Sequence, residues 1–308
     1  MDDRRLAVCY ADSAMNPAAA LTPEQIAKFR EDGYLALASI TTPEEVAQLR
    51  GIFDRLFAEG AGWEKGAQLD LAGTDEGRRP ALPQILNPAE FAPELRATQF
   101  RANALAIARQ LLGPDAEPWF EHAILKPPHY GAATPWHQDE AHRDDPGVEY
   151  EQLSVWMPLQ GATEANGCMR FIARSHRGPV LTHRSPGNDP RVTALECTGG
   201  FAPGDAIPCP LPPGGATIHH CRTLHAAGPN ASDIPRRAYI LAFRGASWPC
   251  AEFRGYPWNT EKRTAAQARN AAWQNRGGAL GRASRAAAKT CAGLLARLRG
   301  KAARLLRR

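Results

Sequence analysis

Apolar residues near the N-terminus recur at helical spacing and follow signals for a helix start. A first helix is predicted from Pro23 to Gly33, because Thr22 can cap it and Gln25 completes a capping box. A strand is predicted at residues 34–40. In a second helix, which begins after Thr42, one apolar stripe is interpreted as facing the core: Val46, Leu49, Phe53, Leu56 and Phe57.

The middle of the chain changes to short strand-like runs separated by Gly, Pro, Asn and Asp. It follows a loop-rich stretch at 60–97 and a predicted helix at 100–112. The clearest runs are 122–126, 153–157, 168–172, 216–220 and 237–243. Many short strands at such spacing predict an antiparallel barrel or a double-sheet jelly roll, so the expected fold is mainly β with flanking α-helices.

Residues 262–308 are rich in Ala and Arg and predict helix, with a break at Gly277-Gly278. The predicted organisation is a flexible lead-in at 1–20, a folded domain at 21–260 and a basic, amphipathic helical tail at 261–308. In the second helical piece, one face carries Cys291, Leu294, Leu295, Leu298, Ala302 and Leu305, and Arg and Lys fill the other face.

Composition is that of a soluble globular protein, with 44% hydrophobic and 22% charged residues among 308. The net charge of +5 belongs to the tail, because residues 276–308 hold ten Lys/Arg and no Asp/Glu, which leaves −5 for residues 1–275. Seven cysteines without C-x-x-C spacing argue against a disulfide framework and a thiolate zinc site. Free thiols, no secretory signal and no long apolar run together favour a cytoplasmic location.

Two histidines and one aspartate are the candidate chemistry of the chain. His137 and Asp139 are two residues apart, so on a strand both side chains point to the same side. His225 can join them if the fold brings distant strands together. Two imidazoles and one carboxylate form the facial set that holds non-haem Fe(II) and leaves positions open. Arg236, eleven residues after His225, offers a planar fork for a carboxylate.

Several segments around these residues match one family pattern, from about Leu21 to Phe243. They are Leu125-Lys-Pro-Pro128, Thr134-Pro-Trp-His-Gln-Asp139, Val155-Trp-Met-Pro-Leu159, Asn166-Gly-Cys-Met-Arg170, Ser175-His176, Leu224-His225, Gly228-Pro-Asn230 and Ser232-Asp-Ile-Pro-Arg236. On these segments the chain resembles the phytanoyl-CoA dioxygenase (PhyH) family of Fe(II)/2-oxoglutarate oxygenases. The resemblance implies a double-stranded β-helix (jelly roll) core with N-terminal helices, followed here by the basic C-terminal helix.

The resemblance also implies the cofactors and their ligands. Fe(II) would be bound by His137, Asp139 and His225, with 2-oxoglutarate and O2 as co-substrates and ascorbate as a reductant. Arg236 would bind the distal carboxylate of 2-oxoglutarate. The co-substrate pocket would be lined by Trp156, Lys126 and His122. Ala227 departs from the pattern, because some members place a hydroxyl residue there that also touches 2-oxoglutarate.

Several of these assignments have structural alternatives. Arg237 is the rival of Arg236, since a shift of one residue along a strand exchanges the two faces. Trp156 could simply be a core residue. Three other histidines are interpreted as hydrogen-bonded structural residues and not as ligands: His176, His219 and His220.

The reaction implied is hydroxylation of an unactivated C–H bond with conversion of 2-oxoglutarate to succinate and CO2. Asp139 favours this outcome, because related halogenases have a small residue in its place. Desaturation, cyclisation or epimerisation on the same iron site stays open. Two other classes are a non-catalytic metal-binding jelly roll and a metal-dependent isomerase or hydrolase that works without O2.

The substrate is expected to be a small molecule or a lipid-linked compound, bound by loops at 60–85, 140–152 and 180–210. Five of their side chains could meet an anionic group, although solvated surface charge is the simpler interpretation: Arg79, His142, Arg143, His183 and Arg184. Residues 288–308 could contact an anionic membrane from the cytoplasmic side. No nucleic acid partner is expected, and the pattern does not determine an oligomeric state.

Overall fold

Two antiparallel sheets border the cavity that is lined by the predicted ligands. The computed structural model describes residues 20–76, 79–253 and 255–276. The strands are β1 (Tyr34–Leu37), β2 (Gln68–Asp70), β3 (Pro83–Leu86), β4 (Glu117–Lys126), β5 (Thr134–His137), β6 (Val148–Pro158), β7 (Met169–Phe171), β8 (His183–Arg184), β9 (Glu196–Cys197), β10 (Ile207–Cys209), β11 (Ala216–His220), β12 (His225–Ala227) and β13 (Arg236–Pro249). The α-helices are α1 (Pro23–Asp32), α2 (Pro43–Ala58), α3 (Gln99–Leu112), α4 (Pro257–Thr260) and α5 (Ala265–Asn275).

The larger sheet has the strand order β1-β11-β6-β13-β4-β3-β2, and the smaller sheet has the order β10-β7-β12-β5. All pairs within them are antiparallel, which confirms the predicted jelly roll with N-terminal helices. The stretch at 60–97, predicted as loop-rich, contributes β2 and β3 and so widens the larger sheet.

Alternation along the central strands separates a helix-facing side from a cavity-facing side. Val155 and Tyr239 lie in the main hydrophobic core, where the Tyr239 ring meets Phe53 of α2 edge-on at 5.2 Å between centroids. Their neighbours Trp156 and Ile240 point the other way and line the cavity between the sheets. The three N-terminal helices therefore cover one face of the large sheet and leave the other for the site.

The capping box of α1 forms as predicted. The backbone N–H of Gln25 donates to the Thr22 hydroxyl at 3.2 Å, and the backbone N–H of Thr22 donates to the Gln25 side chain at 2.9 Å. Gly33 ends the helix with φ of 82°, a left-handed conformation that favours glycine. The chain therefore turns sharply into β1.

A C-terminal segment, residues 256–276, fastens loops at the edge of the cavity. The indole N–H of Trp258 donates to the carbonyl of Ala141 at 2.8 Å. The ammonium of Lys262 donates to the carbonyls of residues 192–194 at 2.6 to 3.0 Å. This segment thus ties two loops that come from distant parts of the sequence, and we call it the C-terminal strap.

The strap crosses the boundary predicted at residue 260. Helix α5 lies against the 3-10 turn Trp63–Lys65, where Arg269 donates to the Trp63 carbonyl at 3.0 Å. Residues 261–276 are therefore packed on the domain. The lead-in at 1–19 and the remaining tail at 277–308, including the predicted membrane contact at 288–308, lie outside the described residues. Among the residues described, no helix is both long and apolar enough to cross a membrane.

Candidate active site

Three of the predicted site residues converge on one point in the cavity. The Nε2 atoms of His137 and His225 lie 3.6 and 3.5 Å from Oδ1 of Asp139. One ligand atom from each residue lies within 4.8 Å of the other two. Ligand bonds to a first-row divalent metal are about 2 Å long, so a single ion between these atoms can reach all three. The donor set fits Fe(II), which accepts two imidazoles and one carboxylate.

The backbone explains how neighbours in sequence point to one ion. His137 ends β5 and lies opposite His225 of β12 in the smaller sheet. Gln138 is extended, whereas Asp139 begins a 3-10 turn that runs to His142. The expectation that His137 and Asp139 share one strand is therefore corrected, because the strand ends before Asp139. The extended Gln138 still turns both side chains to the same side.

Backbone carbonyls fix the tautomer of both histidines. Nδ1 of His137 lies 2.8 Å from the Pro135 carbonyl, and Nδ1 of His225 lies 2.8 Å from the Thr223 carbonyl. A carbonyl can only accept, so each Nδ1 carries the proton and each Nε2 is left with a lone pair for a metal.

The carboxylate between these histidines is ionised. Burial alone would raise the pKa of Asp139, but His225 and His219 hold it well below its usual range. Its second oxygen, Oδ2, accepts a 2.7 Å hydrogen bond from the hydroxyl of Ser154 and lies 3.2 Å from Nε2 of His219. The sequence interpretation named His219 only as a structural histidine and did not name Ser154.

A cavity of about 530 Å³ opens beside the three donors, and Arg236 forms part of its wall. The Arg236 side chain is 1% exposed, and its Nε and Nη1 atoms have no hydrogen-bond partner in the part of the chain that the structure describes. Burial lowers its pKa to about 9. Its rival Arg237 points away from the cavity and donates to Asp54 at 2.5 Å. Of these two neighbours, Arg236 is thus the one with a free guanidinium edge inside the site.

The other three residues expected in the co-substrate pocket have different positions. Trp156 lies on the cavity wall with its ring 5.4 Å below the Arg236 guanidinium. It also packs in a second hydrophobic cluster, which includes Phe171 and Ile240. His122 lines the cavity too. Lys126 is fully buried and donates to the carbonyls of Ala132 and Gly228 at 2.6 and 2.7 Å. Contrary to expectation, its ammonium is engaged by the backbone and does not line the cavity.

Two residues interpreted as solvated surface groups are buried. Nδ1 of His183 faces the Leu181 carbonyl at 2.7 Å, so its Nε2 accepts the 3.1 Å hydrogen bond from the backbone N–H of Gln138. His183 therefore holds Gln138, which lies between the predicted metal ligands His137 and Asp139. Arg143, 7% exposed, lines the cavity with its guanidinium 3.7 Å from the Phe253 ring centre.

Buried neutral histidines make the stability of the metal-free protein depend on pH. Burial lowers the pKa of His122, His137, His183 and His220 from 6.5 to about 4. Between about pH 6.5 and 4 the unfolded chain therefore binds more protons than the folded chain, and the free energy of unfolding falls as the pH falls. We expect the Tm in EDTA to decrease across this window and to stay nearly constant from about pH 7 to 8. Scanning calorimetry tests this, and a Tm that did not change from pH 6.5 to 4 would contradict it.

Two imidazoles and one carboxylate that meet at one point beside a cavity are typical of the class of non-haem Fe(II) oxygenases. Comparison with known proteins agrees with that class, because the sequence profile of the phytanoyl-CoA dioxygenase (PhyH) family matches residues 29–238, about two thirds of the chain. The chain belongs to the PhyH family. It is an Fe(II)- and 2-oxoglutarate-dependent dioxygenase that uses O2.

Individual relatives resemble this chain over most of its length. A probable alpha-ketoglutarate-dependent hypophosphite dioxygenase of Stutzerimonas stutzeri is 26% identical over 241 residues, covering 76% of this chain and 83% of the relative. The crystal structure of EvdO2 from Micromonospora carbonacea var. aurantiaca, complexed with 2-oxoglutarate, is 38% identical with a TM-score of 0.67 and covers 79% of this chain and 99% of that one. The carbocyclase SnoK from nogalamycin biosynthesis shares the fold at 22% identity, a TM-score of 0.61 and coverage of 76% and 88%.

Proposed function

We propose that this dioxygenase hydroxylates an unactivated C–H bond of a small molecule, with conversion of 2-oxoglutarate to succinate and CO2. In this proposal His137, Asp139 and His225 bind Fe(II), and Arg236 binds the distal carboxylate of 2-oxoglutarate. The observation that carries it is the meeting of three metal-ligating atoms and one buried guanidinium on the same cavity. Bound iron and 2-oxoglutarate supply the oxidising chemistry, and the residues of the chain bind, orient and shield.

The unpartnered guanidinium of Arg236 supports 2-oxoglutarate as the ligand that binds in this cavity. A buried cation without a hydrogen-bonded partner is costly, and such groups are normally matched by an opposite charge. Arg236 is buried beside Trp156 with two nitrogens free in the described structure, and a carboxylate can accept from both through a bidentate pair. The apolar ring of Trp156 beneath the guanidinium lowers the local polarity, which strengthens such a pair.

The charges at the mouth of the cavity support a small uncharged substrate. Arg222 donates to Glu140 at 2.7 Å, and Arg143 lies 3.5 Å from Glu140 and 3.9 Å from Glu149. Asp144 adds a further carboxylate to the lining. These three carboxylates outnumber the two arginines, which disfavours a polyanion such as an acyl-CoA, whereas Nε and Nη1 of Arg143 make no hydrogen bond in the described structure and can still donate to a neutral polar group. A volume of about 530 Å³ suits a small ligand.

Three further expectations remain predictions. A lipid-linked substrate and contact with an anionic membrane depend on residues 288–308, outside the described residues. Desaturation, cyclisation or epimerisation remains the second candidate outcome, favoured by the carbocyclase with the same fold.

Isotope labelling separates hydroxylation from the other oxidations. We expect the Fe(II)-loaded protein, with ascorbate, to form succinate from 2-oxoglutarate under 18O2 and to add one 18O atom to a product from a pool of uncharged metabolites. Mass spectrometry measures both. A product without 18O would exclude hydroxylation, and no succinate with or without the metabolites would contradict the ligand assignment.

A further inference from the structure

The two oxygens of Asp139 have different surroundings. Oδ1 faces the Nε2 atoms of His137 and His225, whereas Oδ2 faces Ser154 and His219. The hydroxyl of Ser154 is 2.7 Å from Oδ2, and Nε2 of His219 is 3.2 Å from the same atom. One oxygen is therefore directed to the metal position, and the other is occupied by two donors.

These donors belong to the most regular part of the fold. Ser154 on β6 and His219 on β11 are directly opposite each other in the larger sheet, so both side chains rise from the same face. They are 4% and 2% exposed. The His219 ring also packs against Phe171 and against His225, at 5.4 and 4.3 Å between centroids. The sheet therefore holds the two donors rigidly, whereas Asp139 lies in a 3-10 turn.

His219 has the tautomer of a donor. The Oδ2 atom of an ionised Asp139 can only accept, so the proton of His219 is on Nε2 and that nitrogen has no lone pair for a metal. Its other nitrogen, Nδ1, is buried without a hydrogen-bond partner among the residues that the structure covers. His219 is therefore a third imidazole close to the metal position that is oriented away from ligation.

We propose that Ser154 and His219 are positioning residues that keep Asp139 a one-oxygen ligand. A carboxylate that bound through both oxygens would take a fourth coordination position, and the facial set must leave three free for 2-oxoglutarate and O2. Partners of metal ligands commonly fix their orientation in this way. The inference rests on the proposed role of Asp139 as an iron ligand and adds the device that holds its geometry.

Metal titration of three variants in the full-length protein tests the inference. We expect Ser154→Ala and His219→Phe each to weaken Co(II) binding by about 10- to 100-fold. His219→Gln, which keeps an N–H donor near the Nε2 position, should bind Co(II) within about 3-fold of wild type. In the Co(II)-loaded Ser154→Ala and His219→Phe proteins, the freed Oδ2 should compete with 2-oxoglutarate and raise its Kd. The change in the Co(II) absorption spectrum on adding 2-oxoglutarate reports that step without turnover.

A matched control and a ligand variant separate the outcomes. His220→Asn replaces the next residue of β11, whose Nδ1 accepts from the backbone N–H of Arg222 at 3.1 Å, and should bind Co(II) like wild type. Wild-type affinities for Co(II) and 2-oxoglutarate in Ser154→Ala, or in a folded His219→Phe, would overturn the inference. An equal loss in His219→Gln and His219→Phe would also overturn it, because His219 would then act as a ligand. If Asp139→Ala bound Co(II) like wild type, the proposed iron site itself would fail.

Discussion

Replacing His137 with alanine is expected to remove metal binding and to lower succinate formation by more than about 1,000-fold. A metal ion contributes several kcal/mol to such a reaction, and each 1.4 kcal/mol is a factor of ten. The donor geometry of His137 is well defined, because its Nδ1 is anchored at 2.8 Å to Pro135 and its Nε2 faces Asp139. The loss should therefore be seen in Co(II) titration as well as in turnover.

The control for this variant is a histidine far from the cavity. His129 is exposed on a loop, and His129→Ala should keep both metal binding and succinate formation. A circular dichroism melt establishes that His137→Ala is folded. Undiminished 2-oxoglutarate consumption by a folded His137→Ala protein would contradict the assignment of this ligand.

Replacing Arg236 with methionine is expected to raise the KM for 2-oxoglutarate by at least about 100-fold. Hydrogen bonds to charged groups contribute about 1.5–3 kcal/mol each, and a bidentate pair would lose two of them. Lysine, a point charge without the planar fork, should be intermediate. Arg237→Gln is the matched control, because Arg237 is the next residue and pairs with Asp54 on the opposite face.

Although Arg236→Met should weaken 2-oxoglutarate binding, it should raise the stability of the protein without 2-oxoglutarate. The Arg236 guanidinium is buried with unpartnered nitrogens, and burial lowers its pKa to about 9, so the folded protein without 2-oxoglutarate bears the cost of an unmatched cation. Methionine keeps most of the apolar contact with Trp156 and removes the charge. We therefore expect a higher Tm for Arg236→Met than for wild type when 2-oxoglutarate is absent. An unchanged KM together with a lowered Tm would show that the guanidinium is structural.

The fold was predictable because its signals are local. The capping box at Thr22 and the alternating strands from residue 119 onward depend on residues close in sequence, and the structure confirms them. The choice between Arg236 and Arg237 also follows from alternation, once the spacing from His225 selects one face. Short strands such as β2 and β3 were missed, since three or four residues carry too little periodicity.

The contacts around the site join residues that are distant in sequence, so they could not be predicted from local sequence patterns. Ser154 and His219 meet only because β6 and β11 pair in one register. The ammonium of Lys126 is bound by the carbonyl of Gly228, about a hundred residues away, and a resemblance in sequence does not reveal that contact. His183 looked like surface charge for the same reason, because its partner Gln138 is distant in sequence.

The contacts of the C-terminal strap show which parts of the enzyme could be exchanged without altering the proposed iron site. The proposed iron and 2-oxoglutarate contacts come mainly from the two sheets, whereas the entrance loops near Ala141 and residues 192–194 are fastened by Trp258 and Lys262. Retargeting the enzyme to another compound would therefore require exchanging those loops and residues 256–276 together, as one cassette. If one loop were exchanged alone, Trp258 and Lys262 would face a backbone that does not offer the carbonyls to which they donate.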